Sequence, residues 1–320
     1  MGESNPMRTL VREIALAAGM ITILVLAMWA HTGSMPPLVV VESNSMQHDI
    51  EGEIGTIDAG DLVLVHSPDS NQIITFAEAT DITSPNYGYE SLGMQGDVII
   101  YERNGETEST PIIHRALFKI EVGQSVDADE QGECSEGVFW NEKCVTSWTV
   151  PGSDQVNVEK VNLIFDGNKT GKYSCDGIAA QHGSNWFSVE NYTPSNPGYI
   201  TLGDNNDCND DQGVFKFAQG LTSMHSGMIR PVQDDWVIGV SGAEIPWLGT
   251  VKLMVSGGDS PGPSQVPGSS FFYLLLFVGL VLVTPMTIEP IFRKILRNSP
   301  EMIEAEREDA IAKVYSSEEE

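Results

Sequence analysis

The stretch V-V-V-E-S-N-S-M-Q-H-D, Val39 to Asp49, starts as a buried strand and ends as something else. Three β-branched residues suit a pleated, half-buried surface. The run then breaks into Ser43-Asn44-Ser45-Met46. Serine and asparagine bond readily to nearby backbone, so taken alone this is a turn. Ser45 is a nucleophile only if a base and an orienting acid lie elsewhere in the chain.

Working outward, short apolar runs recur with turn signals between them. They are Pro37–Val41, Asp61–Val65, Asp97–Tyr101, Ile112–Ile120, Val161–Phe165, Gly198–Leu202 and Trp236–Val240. No helix-period pattern of useful length separates them, so this region is mostly β. Residues 121–197 hold three of the four cysteines and many Gly, Ser and Asn. They read as a disulfide-pinned insertion. Residues 257–270 form a Pro/Gly/Ser linker.

Two runs are apolar enough to leave water: Ile14–Ala30 and Phe271–Ile288. Both approach the length of a spanning helix. Arg8 and Arg12 precede the first; Arg293, Lys294 and Arg297 follow the second. Residues 31–270 carry 10 Lys and Arg against 34 Asp and Glu, a net of −24. The positive-inside rule then places both termini in the cytoplasm and the middle outside. The expected organisation is a cytoplasmic N-terminus (1–12), a transmembrane helix (13–32), an extracytoplasmic β domain (33–256) and the linker (257–270). A second transmembrane helix (271–290) and an acidic cytoplasmic tail (291–320) complete it.

The acidic middle has no basic patch for phosphates, which argues against nucleic-acid binding. Cys134, Cys144, Cys175 and Cys208 all fall in the outer region. An even count in an oxidising compartment predicts disulfides. Three pairings exist; nearness in sequence favours Cys134–Cys144 and Cys175–Cys208. A zinc site would need closer, paired thiolates. The acidic loop Leu202–Gly213 lacks the spacing and closing Glu of an EF-hand. No metal or other cofactor is expected. Asn168-Lys-Thr and Asn191-Tyr-Thr match the glycosylation pattern, a short and weak signal.

Among six histidines, His114 lies in the strand I-I-H-R-A-L, where a lone histidine is usually structural. His48 is three residues from Ser45, too close along an extended chain to face it as a base. The acids concentrate in L-G-D-N-N-D-C-N-D-D-Q-G, which contains Asp204, Asp207, Asp210 and Asp211.

None of these residues decides the matter singly; their order does. A span, S-N-S-M, a Gly-Asp-Leu strand, G-D-V-I-I-Y, I-I-H-R, Y-I-T-L-G-D-N-N and D-W-V-I-G-V-S-G-A-E-I-P-W-L-G follow one another before a second apolar run. This set resembles type I signal peptidases of the archaeal and endoplasmic-reticulum branch. The matching blocks cover about a sixth of the chain and extend across nearly all of the outer region.

The resemblance implies a signal-peptidase-like β domain outside the membrane, anchored by two helices. It implies a serine endopeptidase that removes signal peptides from secreted precursors after small residues. Ser45 becomes the nucleophile and His114 the general base, where the bacterial branch has Lys. Asp204 holds the loop and site together. Asp210, six residues on, orients His114, unless one residue of the loop is inserted, in which case Asp211 does. The Ser45 backbone N–H and the Ser43 hydroxyl form the oxyanion hole, and Met46 packs on the membrane-facing edge. The implied partners are signal peptides, the lipid bilayer and protein-export machinery; the implied location is the cell membrane. Asn44 and His48 depart from the family's usual Gly and Pro. The alternative is a catalytically inactive relative that serves as a binding or scaffold protein.

Overall fold

The computed structural model describes residues 6–68, 72–129, 132–175, 185–256 and 262–297, with Arg307. His182 and parts of the expected N-terminus, insertion, linker and tail lie outside the described residues.

Among the described residues the α-helices α1 (Pro6–Thr32), α2 (Phe76–Thr80), α3 (Thr250–Ser256) and α4 (Gly268–Arg297) accompany a mostly β structure. The strands are β1 (Leu38–Val40), β2 (Leu62–His66), β3 (Glu90–Ser91), β4 (Met94–Gln95), β5 (Val98–Tyr101), β6 (Ile112–Asp127), β7 (Val138–Trp140), β8 (Lys143–Thr149), β9 (Val161–Ile164), β10 (Ser188–Tyr192), β11 (Gly198–Leu202) and β12 (Val237–Ile245). Each of the seven short apolar runs singled out above overlaps one of them.

Within α1, Leu10–Thr32 has a mean hydropathy of 2.1 and is long and apolar enough to cross a membrane. The second apolar run lies in α4, whose apolar part, Gly268–Thr284, falls short of the about 20 residues typical of a span. At the other end of α1, Ser67 N–H donates to Thr32 O at 2.9 Å, tying the helix end to the end of β2.

The main sheet runs β1-β2-β12-β5-β6-β8-β7, with β11 also on β6. All of its pairings are antiparallel. The 16-residue β6 is its organiser. Its first residues pair with β5 and β11, and its last seven pair with β8. That second half, E-V-G-Q-S-V-D, is largely exposed and shows no apolar alternation, so only pairing reveals it as strand.

The segment expected as an insertion is not walled off. Trp148, Phe165, Tyr173 and Phe187 from it share one core with Phe76, Phe118, Ile200 and Leu202. The helix that contributes Phe76 is five residues long, too short for a visible period, and is set by a Thr75–Glu78 capping box. Both expected disulfides are present, Cys134–Cys144 and Cys175–Cys208.

Candidate active site

Adjacent residues of a strand point to opposite faces. His114 and Arg115, next to each other on β6, therefore serve two different clusters. His114 pairs in register with Ile99 on β5, and Arg115 with Val98 on β5 and Leu202 on β11. The loop after β11 thus begins beside this pair.

On the His114 face three side chains meet. His114 Nε2 lies 2.9 Å from Ser45 Oγ. Its Nδ1 lies 2.7 and 2.9 Å from the two carboxylate oxygens of Asp211. Asp211 also accepts from the Tyr101 hydroxyl and the Thr201 hydroxyl, each at 2.6 Å. Burial first, then the neighbouring Asp211, pushes the Tyr101 phenol well above its ordinary range, so it stays a donor.

Asp210, the acid that counting selects, is elsewhere. Its oxygens accept the backbone N–H groups of Gln212, Val214 and Phe215 at 2.8 to 3.1 Å, closing the following turn. Burial, with a smaller push from Asp211, raises its carboxyl to about 6. The reason lies in the loop's extra turn. Asp207 and Cys208 both have positive φ, and Asn206 and Asn209 each close a turn on the residue three before. The first residue to return to β11 is Asp211, whose N–H donates to Thr201 O at 3.0 Å. Asp207 is exposed.

On the other face, Arg115 is wholly buried. It donates to both oxygens of Asp204 at 2.7 to 3.1 Å and to the carbonyls of Ser91, Leu92, Met94, Gln95 and Gly96. His48 Nε2 is 2.8 Å from Asp204 Oδ2. Burial alone would raise the Asp204 carboxyl; Arg115 and His48 outweigh it and hold the group below its ordinary range.

The S-N-S-M stretch is a turn, closed by Gln47 N–H on Asn44 O at 3.1 Å. Met46, expected at a membrane-facing edge, is instead buried with Val41, Ile57, Val63 and Val98 and anchors the turn from below. The loop after β11 grips it from the side: Asn205 N–H donates to Ser45 O at 2.8 Å, and Asn205 Nδ2 to Asn44 O at 3.0 Å. From the segment before α4, Gln265 Oε1 accepts the Asn44 N–H at 3.0 Å. The Ser43 and Ser45 hydroxyls are 3.2 Å apart.

A hydroxyl, an imidazole and a buried carboxylate in this order can pass the serine's proton to His114 while Asp211 fixes the tautomer. The residues missed in sequence are the supports. Tyr101 and Thr201 close apolar strands, where strand register alone would have aimed their hydroxyls at the site. Gly203 lets the loop approach: an added Cβ would sit 2.7 Å from Ser45 O and 2.8 Å from His114 Nε2. Among the described residues no cluster of three or more His, Cys, Asp or Glu side chains is arranged to hold a metal ion. Compared with protein-family models the chain matches none, and it matches no curated protein either.

Proposed function

We propose that this chain is a membrane-bound serine endopeptidase that removes signal peptides from secreted precursors. The observation that carries the reading is the unbroken contact line from Ser45 Oγ through His114 to Asp211. It unites Ser45 and His114, which the resemblance to type I signal peptidases picks out, with Asp211, which the resemblance gave only as the alternative to Asp210.

The steps follow from the contacts. Ser45 Oγ attacks the scissile carbonyl as His114 Nε2 takes its proton. Asp211 holds the Nδ1 proton and stabilises the imidazolium. The oxyanion receives the Ser45 backbone N–H and the Ser43 hydroxyl; one such donor is worth about 10²–10³ in rate. His114 then protonates the departing amine, and water releases the acyl group from Ser45 by the same base.

The substrate would add as an extended segment to the sheet edge formed by β1, which leads into Ser45. Ser45 follows the end of α1 by 13 residues, a tether of at most ~3.3–3.6 Å per residue. Cleavage at the outer membrane surface fits this reach. In this reading α4 is the second anchor, both termini are cytoplasmic and the β domain is outside. The basic residues Arg8, Arg12, Arg293, Lys294 and Arg297 support that orientation.

The test is cleavage of a membrane-inserted precursor by purified full-length protein and by Ser45→Ala. The wild type should release the mature chain after a small residue, and Ser45→Ala should not. Equal cleavage by both would overturn the peptidase reading.

A further inference from the structure

We propose that His48 is a positioning residue that holds the nucleophile turn against His114, acting through Asp204. This rests on the peptidase reading above. His48 belongs to the same turn as Ser45, three residues on, yet its side chain faces away from His114 toward the second cluster. Its Nε2 is 2.8 Å from Asp204 Oδ2, and the two side chains are 6% and 0% exposed. Asp204 is gripped from its other side by Arg115. Arg115 is joined by one peptide bond to His114, and His114 returns to Ser45.

These contacts close a ring: Ser45, the turn, His48, Asp204, Arg115, His114, Ser45. The distance between nucleophile and base is thereby fixed twice, once directly and once around the ring. The His48–Asp204 contact is the one link of the indirect path that is neither covalent nor carried by Arg115. Its seat is tight. A Cβ added at Gly93 would lie 2.9 Å from His48 Nδ1, so the ring cannot swing aside on that flank. The Asn205 contacts to Ser45 O and Asn44 O are independent of His48. Loss of His48 should therefore loosen the turn without dissolving it.

A misplacement of about 1 Å between reacting groups costs about 10²-fold in rate. His48→Ala should lower kcat by about 10–100-fold with KM little changed, because the substrate edge at β1 is untouched. His48→Gln keeps an N–H donor for Asp204 and should recover most of the loss. A residue with a merely structural role would give neither the kcat–KM split nor the rescue.

A second readout avoids proteolysis altogether. In full-length Ser45→Cys, with the four native cysteines in disulfides, the new thiol faces His114 and should react quickly with iodoacetamide. Adding His48→Ala should slow alkylation at pH 7 about tenfold, and adding His48→Gln should not. Unchanged kcat and unchanged alkylation in folded His48→Ala would overturn the proposal. So would a loss that merely follows the folded fraction, with His48→Gln equally impaired. If Ser45→Ala still cleaves precursor while alkylation responds to His48, the peptidase reading fails and the positioning contact stands.

Discussion

Asp211 Oδ2 lies 2.7 Å from His114 Nδ1, while Asp210, one residue earlier and just as buried, caps three backbone amides. The two acids should therefore fail differently. Asp211→Asn keeps the shape but favours the wrong imidazole tautomer, which under the proposed Ser-His-Asp mechanism should lower kcat by about 10⁴. Its melting temperature should stay close to wild type. Unlike Asp58, whose Oδ1 has no partner among the described residues, Asp210 uses both oxygens; Asp210→Asn turns an amide NH2 toward a backbone N–H that an oxygen now accepts and should cost about 1–3 kcal/mol of stability. Its folded fraction should cleave precursor normally. Initial processing rates and thermal melts on both variants check this; the opposite assignment of defects would return the orienting role to Asp210.

The two disulfides should also separate. Chain-entropy arguments give about 3 kcal/mol for Cys134–Cys144 and about 4 for Cys175–Cys208, so their effects on stability are similar. Their positions are not. Cys134–Cys144 secures the start of β8, whereas Cys208 accepts the Asp210 N–H at its carbonyl and lies three residues before Asp211. Replacing Cys175 and Cys208 by Ser should lower kcat about tenfold well below the melting temperature, by the misplacement argument. Replacing Cys134 and Cys144 should leave kcat unchanged. Equal kcat in both pairs would show that the Asp211 loop holds its place without the bond.

Burial, with Asp61 adding to it, pushes the Asp58 carboxyl up to about 6. One of its oxygens accepts the Glu53 N–H at 2.8 Å, and Oδ1 has no partner among the described residues. The folded value lies above the ordinary 3.8. The stabilising contribution of the protonated form is thus complete below about 3.8 and lost as pH rises through about 6. Asp58→Asn should then be the more stable protein at pH 7 to 8, by about 1–2 kcal/mol once nearby solvent is allowed for. The gap should close toward pH 4. Asp204 behaves in the opposite sense: its lowered carboxyl contributes stability above its unfolded value and loses it as pH falls. Thermal melts of wild type and Asp58→Asn between pH 4 and 8 measure the Asp58 contribution; a gap that does not vary with pH would contradict the assignment.

Much of the fold was legible because its strands are short, apolar and separated by Gly-Asp or Asn-Gly punctuation. What escaped is informative. The second half of β6 is exposed or half-buried at every position, and β8 buries adjacent residues, Cys144 with Val145 and Ser147 with Trp148, so neither carries a period-2 signal. The Asp210/Asp211 choice turned on two left-handed residues, Asp207 and Cys208, neither of them glycine. No spacing rule sees that. The role of Arg115 was hidden in the same way: its donors go mainly to backbone carbonyls of residues 91–96, which have no side-chain signature. Ser45 and His114 were visible only as members of an ordered set, and the structure adds the contact between them.

Gly203 offers the most local check on that contact. It opens the loop that carries Asp204 and Asn205, and it lies against the serine turn. A methyl group there would come within 2.7 Å of Ser45 O, 2.7 Å of Asn206 Nδ2 and 2.8 Å of His114 Nε2. The Asn206 amide can rotate away, but the Ser45 carbonyl is backbone and His114 is held by Asp211. Overpacking at such a site typically costs about 1–3 kcal/mol. The added methyl would press on both sides of the Ser45–His114 contact, so relieving the strain should part the turn from the imidazole. Gly203→Ala should therefore fold, melt a few degrees lower, and lose about 10²-fold or more in kcat. A folded Gly203→Ala protein that cleaves precursor at the wild-type rate would mean that Ser45, Gly203 and His114 are not packed this closely in solution.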